Sequence, residues 1–264
     1  MNVSYLSIKS HTYNEDRFAV SDRVFVVIDG ATTLEKRSNP RKRTNASLLV
    51  SRLKKEILRH KGDFDTDYFR ALSKKIFEEG SIGAASAGLA GVAIQGENLR
   101  LFSLGDCEVI CKLRSGEIFR FKRNDLDKLD GYALAEMVRI SKEKGISVKE
   151  SRAYITDILI RNREKKNKVG GYDVFEPLND PTFRLYVKDI PIKDVESFYI
   201  CSDGFAQCFT TLKIFSSCFE LFETNLNIRQ ISEKIREVSF ADPEYNAFPR
   251  FKIVDDITVI KAEF

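Results

Sequence analysis

Carboxylates recur in this sequence at points where apolar segments begin or end. Asp29 directly follows the apolar run Phe25–Ile28, Asp203 follows a second apolar run, and each of the two aspartates is followed by a glycine. Other carboxylates flank apolar segments at Glu15, Asp16, Asp106, Asp255 and Asp256. A charged carboxylate beside a buried strand is energetically costly unless a partner neutralises it. The repetition of this arrangement in distant parts of the chain suggests a shared site.

If folding brings these carboxylates together, their mutual repulsion requires a cation among them. Hard divalent ions such as Mg²⁺ or Mn²⁺ prefer oxygen ligands of this kind. The glycine that follows the aspartate lets the backbone carbonyl turn inward as a further ligand. Each motif alone has a simpler explanation, because Asp-Gly is a common turn dipeptide and Glu-Asp before a strand is usually a solvated edge.

Catalysis by other residue types is disfavoured. The sequence contains only two histidines, His11 and His60, which argues against a zinc hydrolase. Serine-histidine catalysis would have to rely on one of these two residues, and no nucleophile elbow is present. The five cysteines include no C-x-x-C spacing, which predicts reduced, mostly buried thiols.

The elements that must position the carboxylates follow from hydrophobic periodicity. Residues 17–30 predict two short strands joined by a turn at Ser21–Arg23. Apolar residues at helical spacing predict a helix in 44–60 and a second helix in 65–80, with Asp65 or Thr66 as N-cap and Gly80 just past its end.

The remainder of the chain alternates between strand runs and helical segments. Residues 86–121 predict a meander of antiparallel strands, 131–171 return to helical periodicity, and 183–190 and 197–204 predict strands again. Helical patterns lie between Ala206 and Val238, and 255–264 predict a last strand. Because the strand runs are meanders, this order favours an α+β fold, a four-layer α-β-β-α sandwich with two central antiparallel sheets. No linker divides the chain, which predicts a single domain over residues 1–264.

Composition excludes several other classes of protein. The 264 residues are 43% hydrophobic and 31% charged, which is typical of a globular protein with a sizeable core. A net charge of +4 does not indicate nucleic-acid binding. Residues 1–16 contain no apolar h-region, which predicts the absence of a signal peptide, and no window approaches a membrane span of roughly 18 apolar residues. These features predict a cytoplasmic protein without a membrane partner.

Six segments, taken in order, match one known family. They are "NED", "VIDGA", "SAGLAGVAI", "LGDCEV", "CSDGF" and "DDITVI". The chain resembles the metal-dependent serine/threonine protein phosphatases of the type 2C (PPM) family over nearly its whole length. The resemblance implies an enzyme that hydrolyses phosphoserine and phosphothreonine in proteins, so that the partner is a phosphorylated protein substrate. A kinase-regulated partner would also fit.

The resemblance implies a role for each matching residue. Asp29 would bridge two Mg²⁺ or Mn²⁺ ions, the Gly30 carbonyl would join the second ion, and Asp203 and Asp255 would hold the first. Glu15 and Asp16 would sit in or just behind the coordination sphere. A third ion in some relatives points to Asp125, with Asp127 close behind. A water or hydroxide between the metals would attack phosphorus in line, without a covalent phospho-enzyme.

The sequence departs from the family pattern at the phosphate-binding position. Relatives carry an arginine where this chain has His11, which is a weaker and pH-dependent phosphate ligand. A surface histidine in a loop is an equally good interpretation. The basic stretch Lys36–Arg43 and the flap segment 158–177 either supply substitute phosphate contacts or are simply solvated. Cys107, in the family's G-D-S position, is interpreted as a packing residue.

Two alternatives therefore stay open at the level of sequence. A pseudophosphatase would keep the fold and bind a partner without turnover, and the loss of the arginine at His11 favours it. The retained carboxylates disfavour it. The second alternative is a metal-dependent phosphatase of small phospho-metabolites.

Overall fold

The computed structural model describes residues 1–10, 12–32 and 43–264. The strands in these ranges are β1 (Asn2–Ile8), β2 (Asp16–Val20), β3 (Val24–Thr32), β4 (Ala85–Gln95), β5 (Asn98–Leu104), β6 (Glu108–Leu113), β7 (Ile118–Phe121), β8 (Tyr186–Pro191), β9 (Val195–Cys201) and β10 (Ile257–Glu263). The helices are α1 (Asn45–Arg59), α2 (Thr66–Glu79), α3 (Asp125–Lys144), α4 (Val148–Ser151), α5 (Thr156–Arg163), α6 (Asp203–Thr210) and α7 (Ile228–Ala241). Short 3₁₀ turns lie at Arg152–Ile155, Ile192–Asp194 and Cys218–Phe222.

The strands form two five-stranded antiparallel sheets. One sheet has the order β1-β10-β9-β6-β7 and the other β2-β3-β4-β5-β8. The inner faces of the two sheets pack against each other, as shown by Phe25 of β3 and Phe198 of β9, whose ring centroids are 5.9 Å apart. Burial of such large apolar side chains between the sheets supplies the main driving force for this packing.

Helices cover both outer faces. Leu53 of α1 and Phe69 of α2 pack with Ile28 of β3 on one side. On the other side, helices α6 and α7 pack in the same way against β9 and β10. The predicted four-layer α-β-β-α sandwich is confirmed.

The helices α1 and α2 begin and end where local sequence signals predict. The Asp65 side chain accepts a hydrogen bond from the Tyr68 amide at 2.8 Å and caps α2. Gly80, with φ of +59°, ends the helix in the left-handed conformation that glycine adopts at low cost. Thr44 caps α1 by accepting from the Ser47 amide at 3.1 Å.

Two features differ from the sequence prediction. Strand β1 was not predicted, and it forms by antiparallel pairing with β10 at the opposite end of the chain. The predicted meander is divided, because β4 and β5 belong to one sheet whereas β6 and β7 belong to the other. The chain crosses between the sheets at Gly105, whose φ is +75° and whose Cβ, if present, would lie 2.9 Å from the Cα of Gly88.

A smaller apolar cluster lies outside the sandwich. Ala133 and Met137 of α3 pack with Val148, Ile155 and Tyr245. This cluster packs the helices α3, α4 and α5 together beside the carboxylates. Among the helices of the described ranges, none is both long enough and apolar enough to cross a lipid bilayer.

Candidate metal centre

The β2–β3 hairpin brings the first carboxylates together. Asp16 and Asp29 are direct partners in the antiparallel register. The Gly30 amide donates a hydrogen bond to the Glu15 carbonyl at 3.0 Å. A Cβ at position 30 would lie 2.7 Å from that carbonyl oxygen, so that only glycine permits this approach. Glu15, Asp16, Asp29 and Gly30, which are all predicted ligands, are therefore neighbours.

Asp106 enters the site from the crossover between the sheets. Gly88 of β4 pairs with Asp29, and a Cβ on this glycine would lie 2.7 Å from Oδ1 of Asp106. The ligand atoms of Asp29, Asp106 and Cys107 lie within 4.8 Å of one another. Burial raises the pKa of the Cys107 thiol well above its ordinary value, which keeps it neutral and unsuited to a hard cation. This agrees with the packing role predicted for Cys107.

Asp203 and Asp255 arrive from the opposite sheet. Asp203 is the first residue of α6, directly after β9, and Asp255 lies just before β10. The turn at Gly204 packs so closely that a Cβ there would lie 2.0 Å from the Asp256 carbonyl oxygen. The glycine after the aspartate therefore serves close backbone packing between the two segments.

Two adjoining cavities lie over these residues. The larger has a volume of about 470 Å³. Aspartates from five segments of the chain line it: Asp29, Asp106, Asp127, Asp130, Asp203 and Asp255. The second cavity has a volume of about 310 Å³, and its acidic and backbone lining includes Glu15, Asp16, Asp29, Gly30, Asp255 and Asp256. Asp29 and Asp255 border both cavities.

Crowding and burial disfavour the ionised form of these carboxylates. Burial, together with the neighbouring Asp256 and Asp255 carboxylates, raises the pKa of Asp16 well above its ordinary value. The pKa of Asp29 is raised in the same way, by burial first and then by Asp16. Burial and the Asp255 carboxylate raise the pKa of Asp203 to about 7. Within this cluster, burial and repulsion between neighbouring carboxylates therefore penalise the ionised forms.

Two carboxylate oxygens also lack partners. Oδ2 of Asp16 and Oδ1 of Asp203 are buried, and neither has a hydrogen-bond partner in the part of the chain that the structure describes. Buried polar atoms without partners are rare in folded proteins. Their oxygen chemistry and surplus negative charge fit a hard divalent cation such as Mg²⁺ or Mn²⁺.

Asp256 has a different role from its neighbour Asp255. Its Oδ1 accepts hydrogen bonds from the amide and hydroxyl of Ser10 at 2.6 and 2.8 Å, and its Oδ2 accepts from the Glu15 amide at 2.6 Å. Asp256 thus fixes the segment that carries Glu15 and Asp16. The sequence marked Asp256 as a strand-edge carboxylate but gave no indication of this contact.

Comparison with known structures identifies the fold. Serine/threonine phosphatase Stp1 from Staphylococcus aureus superposes with a TM-score of 0.54 at 11% identity, covering 99% of this chain and 94% of that chain. The Mycobacterium tuberculosis serine/threonine phosphatase PstP/Ppp gives 0.55 at 15% identity, covering 100% and 98%. The catalytic domain of PstP in complex with two manganese ions gives 0.52 at 16% identity, covering 99% and 97%. The chain has the type 2C phosphatase fold. Neither protein-family models nor curated protein sequences gave a match to it.

Asp125, Asp127 and Asp130 of α3 lie at different positions relative to the larger cavity. Asp125, the predicted third-metal residue, pairs with Arg123 at 2.9 Å and does not line the larger cavity. Asp127 borders the cavity but pairs with Lys122 at 2.7 Å. Asp130 lies about one turn further along α3, and burial together with the Asp203 carboxylate raises its pKa to about 7. The rotation of α3 about its axis thus places Asp130 on the side of the helix that faces the other carboxylates.

Several residues that the sequence analysis considered for phosphate binding lie outside the described ranges. His11 is one of them, as are residues 36–42 of the basic stretch Lys36–Arg43. His60 is described: it stacks on Tyr68 with 3.7 Å between ring centroids and lines neither cavity of the metal centre. It therefore has a structural role at the end of α1.

Arginines form one wall of the larger cavity in this type 2C fold. Arg152, from the 3₁₀ turn, and Arg163, at the end of α5, both line the cavity that the aspartates enter. Nε of Arg152 is buried and has no hydrogen-bond partner among the described residues. Arg163 lies in the segment 158–177, which the family resemblance matched to a flap, and this residue lines the larger cavity.

Proposed function

We propose that this chain is a metal-dependent phosphatase that hydrolyses phosphoserine and phosphothreonine in proteins, using Mg²⁺ or Mn²⁺. The observation that carries the proposal is the convergence of aspartates from five segments on one cavity, with buried oxygens that lack partners. The structural neighbours support the same reading, since they are serine/threonine phosphatases and one of them is in complex with two manganese ions.

The proposed metal ligands belong to both sheets. Asp29, which borders both cavities, would be shared by two ions, and Asp203 and Asp255 would complete the first of them. The Gly30 carbonyl would join the second ion, with Glu15 and Asp16 in or just behind its coordination sphere. A third ion would be held by Asp130. Divalent ions at such a site lower the pKa of bound water and neutralise phosphoryl oxygens.

The protein's own residues would bind and orient the phosphorylated side chain. Arg152 and Arg163 present guanidinium groups on the wall of the cavity whose other lining includes the aspartates. A guanidinium matches the geometry of a phosphate and stays charged at all relevant pH values. These two arginines are the candidates to replace the arginine that relatives carry at position 11.

No side-chain nucleophile is proposed. Among the described residues, neither cavity is lined by a histidine or a cysteine. Cys107, the cysteine beside Asp29 and Asp106, is fully buried and has a raised pKa. The carboxylates would hold the cations, and the substrate's phosphoryl group would be oriented between them and the arginines.

The rival proposal is a pseudophosphatase, and the substitution of arginine by His11 favours it. Hydrolysis of p-nitrophenyl phosphate and of a phosphothreonine peptide, each with Mn²⁺ and with EDTA, separates the possibilities. We expect Mn²⁺-dependent release of phosphate from both compounds. The variant Asp29→Asn should abolish it, whereas Asp189→Asn, which removes an exposed carboxylate paired with Arg100, should not. Mn²⁺ binding without any turnover would establish the pseudophosphatase, and turnover of small phosphate esters alone would indicate a metabolite substrate.

A further inference from the structure

The ammonium group of Lys252 hydrogen-bonds to Asp255, one of the proposed metal ligands. Nζ of Lys252 donates hydrogen bonds to both carboxylate oxygens of Asp255, each at 2.8 Å. Lys252 borders both cavities, as does Asp255. Asp255 therefore has a positively charged hydrogen-bond partner.

The backbone that carries Lys252 is firmly anchored. The Arg250 guanidinium, in a side chain that is only 4% exposed, donates to the carbonyls of Ser239 and Asp242 at 2.7 and 2.6 Å. It also pairs with the Asp242 carboxylate at 2.7 Å. The Lys252 side chain is 54% exposed. Its exposed part gives the side chain room to turn toward solvent and away from Asp255.

The ammonium and a divalent ion require the same two oxygen atoms. A carboxylate that already accepts two charge-assisted hydrogen bonds can ligate a metal only after those bonds are broken or shared. Two cations held at one carboxylate also repel each other. Lys252 and a metal ion therefore compete for the carboxylate of Asp255.

We propose that Lys252 is a resident cation that holds Asp255 in the absence of metal and must be displaced when the first divalent ion binds. Lys252 thereby sets the metal concentration at which the site fills, and it limits carboxylate repulsion in the metal-free protein. The inference rests on the proposed function, because it assumes that Asp255 is a metal ligand.

Calorimetric titration of the full chain with Mn²⁺ tests the inference, with Lys252→Met removing the charge and keeping the length of the side chain. We expect the first Mn²⁺ to bind at least about tenfold more tightly to this variant than to the wild type, since a charge-assisted contact no longer competes. Lys252→Arg should stay close to the wild type. The control is Lys112→Met, which removes a lysine paired with Glu196 on a strand that borders neither cavity.

A second readout does not depend on affinity. Without metal, Lys252→Met should have a lower Tm than the wild type, and saturating Mn²⁺ should abolish the difference. Equal Mn²⁺ affinity in Lys252→Met and the wild type, or weaker binding in the variant, would overturn the inference and leave the metal site intact. If neither the wild type nor any variant bound Mn²⁺, both the proposed function and the inference about Lys252 would fail.

Discussion

Asp16 and Asp29 face each other across the β2–β3 hairpin as register partners, although both side chains are carboxylates. Like charges directly opposite each other destabilise a sheet. Burial raises the pKa of both residues well above the ordinary value, with a further contribution from Asp256 to Asp16 and from Asp16 to Asp29. The hairpin thus carries an electrostatic cost that a bound cation would relieve.

The metal-free protein should lose stability as pH rises toward neutrality. The pKa of Asp203 and the pKa of Asp130 are each raised to about 7 from an ordinary value of 3.8. The folded state therefore keeps protons that the unfolded chain has already released, and stability falls as pH rises from about 4 to about 7. Urea unfolding in EDTA should give a lower free energy of unfolding at pH 8 than at pH 5.

The variant Asp203→Asn is the control for this pH dependence, since it removes one of the titrating groups. Its free energy of unfolding in EDTA should change less between pH 5 and pH 8 than that of the wild type. A metal-free wild type that was more stable at pH 8 than at pH 5 would contradict the electrostatic account of the site.

The Asp256→Ala variant should loosen the segment that carries Glu15 and Asp16. Asp256 accepts three hydrogen bonds from Ser10 and Glu15, and each bond to a charged acceptor contributes about 1.5–3 kcal/mol. We expect a loss of at least about 2 kcal/mol in unfolding free energy. Hydrogen exchange at the Glu15 amide should accelerate.

The matched control for Asp256→Ala is Asp22→Ala, which removes an exposed carboxylate from the turn between β2 and β3. Hydrogen exchange at the Glu15 amide should be unchanged in Asp22→Ala. If the Glu15 amide remained protected from exchange in Asp256→Ala, the hydrogen bonds of Asp256 would not be what holds the segment of Ser10 and Glu15 in place.

Arg120→Met should destabilise the sheet that contains β6 and β7. The Glu108 side chain is 1% exposed, and it receives two hydrogen bonds from Arg120 at 2.6 and 2.8 Å. Removal of the arginine leaves a buried carboxylate without its partner, which costs about 3–5 kcal/mol. Urea denaturation should show this loss, and the double variant Glu108→Leu/Arg120→Met should recover much of it. A double variant as unstable as Arg120→Met would refute the role assigned to the buried charge.

Arg152→Met should weaken capture of a phosphorylated substrate. Loss of one charge-assisted contact to phosphate, worth about 1.5–3 kcal/mol, should lower kcat/KM for a phosphothreonine peptide by about tenfold or more. Steady-state kinetics with saturating Mn²⁺ measure this change. Arg161→Met, on the exposed side of the neighbouring helix α5, should leave kcat/KM unchanged. An equal effect of both substitutions would point to general electrostatic attraction instead of a specific contact.

Local sequence patterns predicted the core elements and the proposed ligands that follow apolar strands. Asp29 and Asp203 were recognisable because each ends an apolar run and precedes a glycine, and both border the cavity. The ends of α2 were predictable for the same reason, since capping by Asp65 and Gly80 depends on residues within one turn. Such signals act over a few residues and are therefore readable from the chain alone.

The tertiary structure decided which of the other charged residues join the site. Asp130 lines the cavity and Asp125 does not, because the rotation of α3 is fixed by packing of Ala133 and Met137 against distant residues. Likewise, β1 exists because β10 supplies its hydrogen-bond partners, and Lys252 meets both cavities because Arg250 anchors its segment. These outcomes depend on contacts between residues far apart in the chain, which no local pattern encodes.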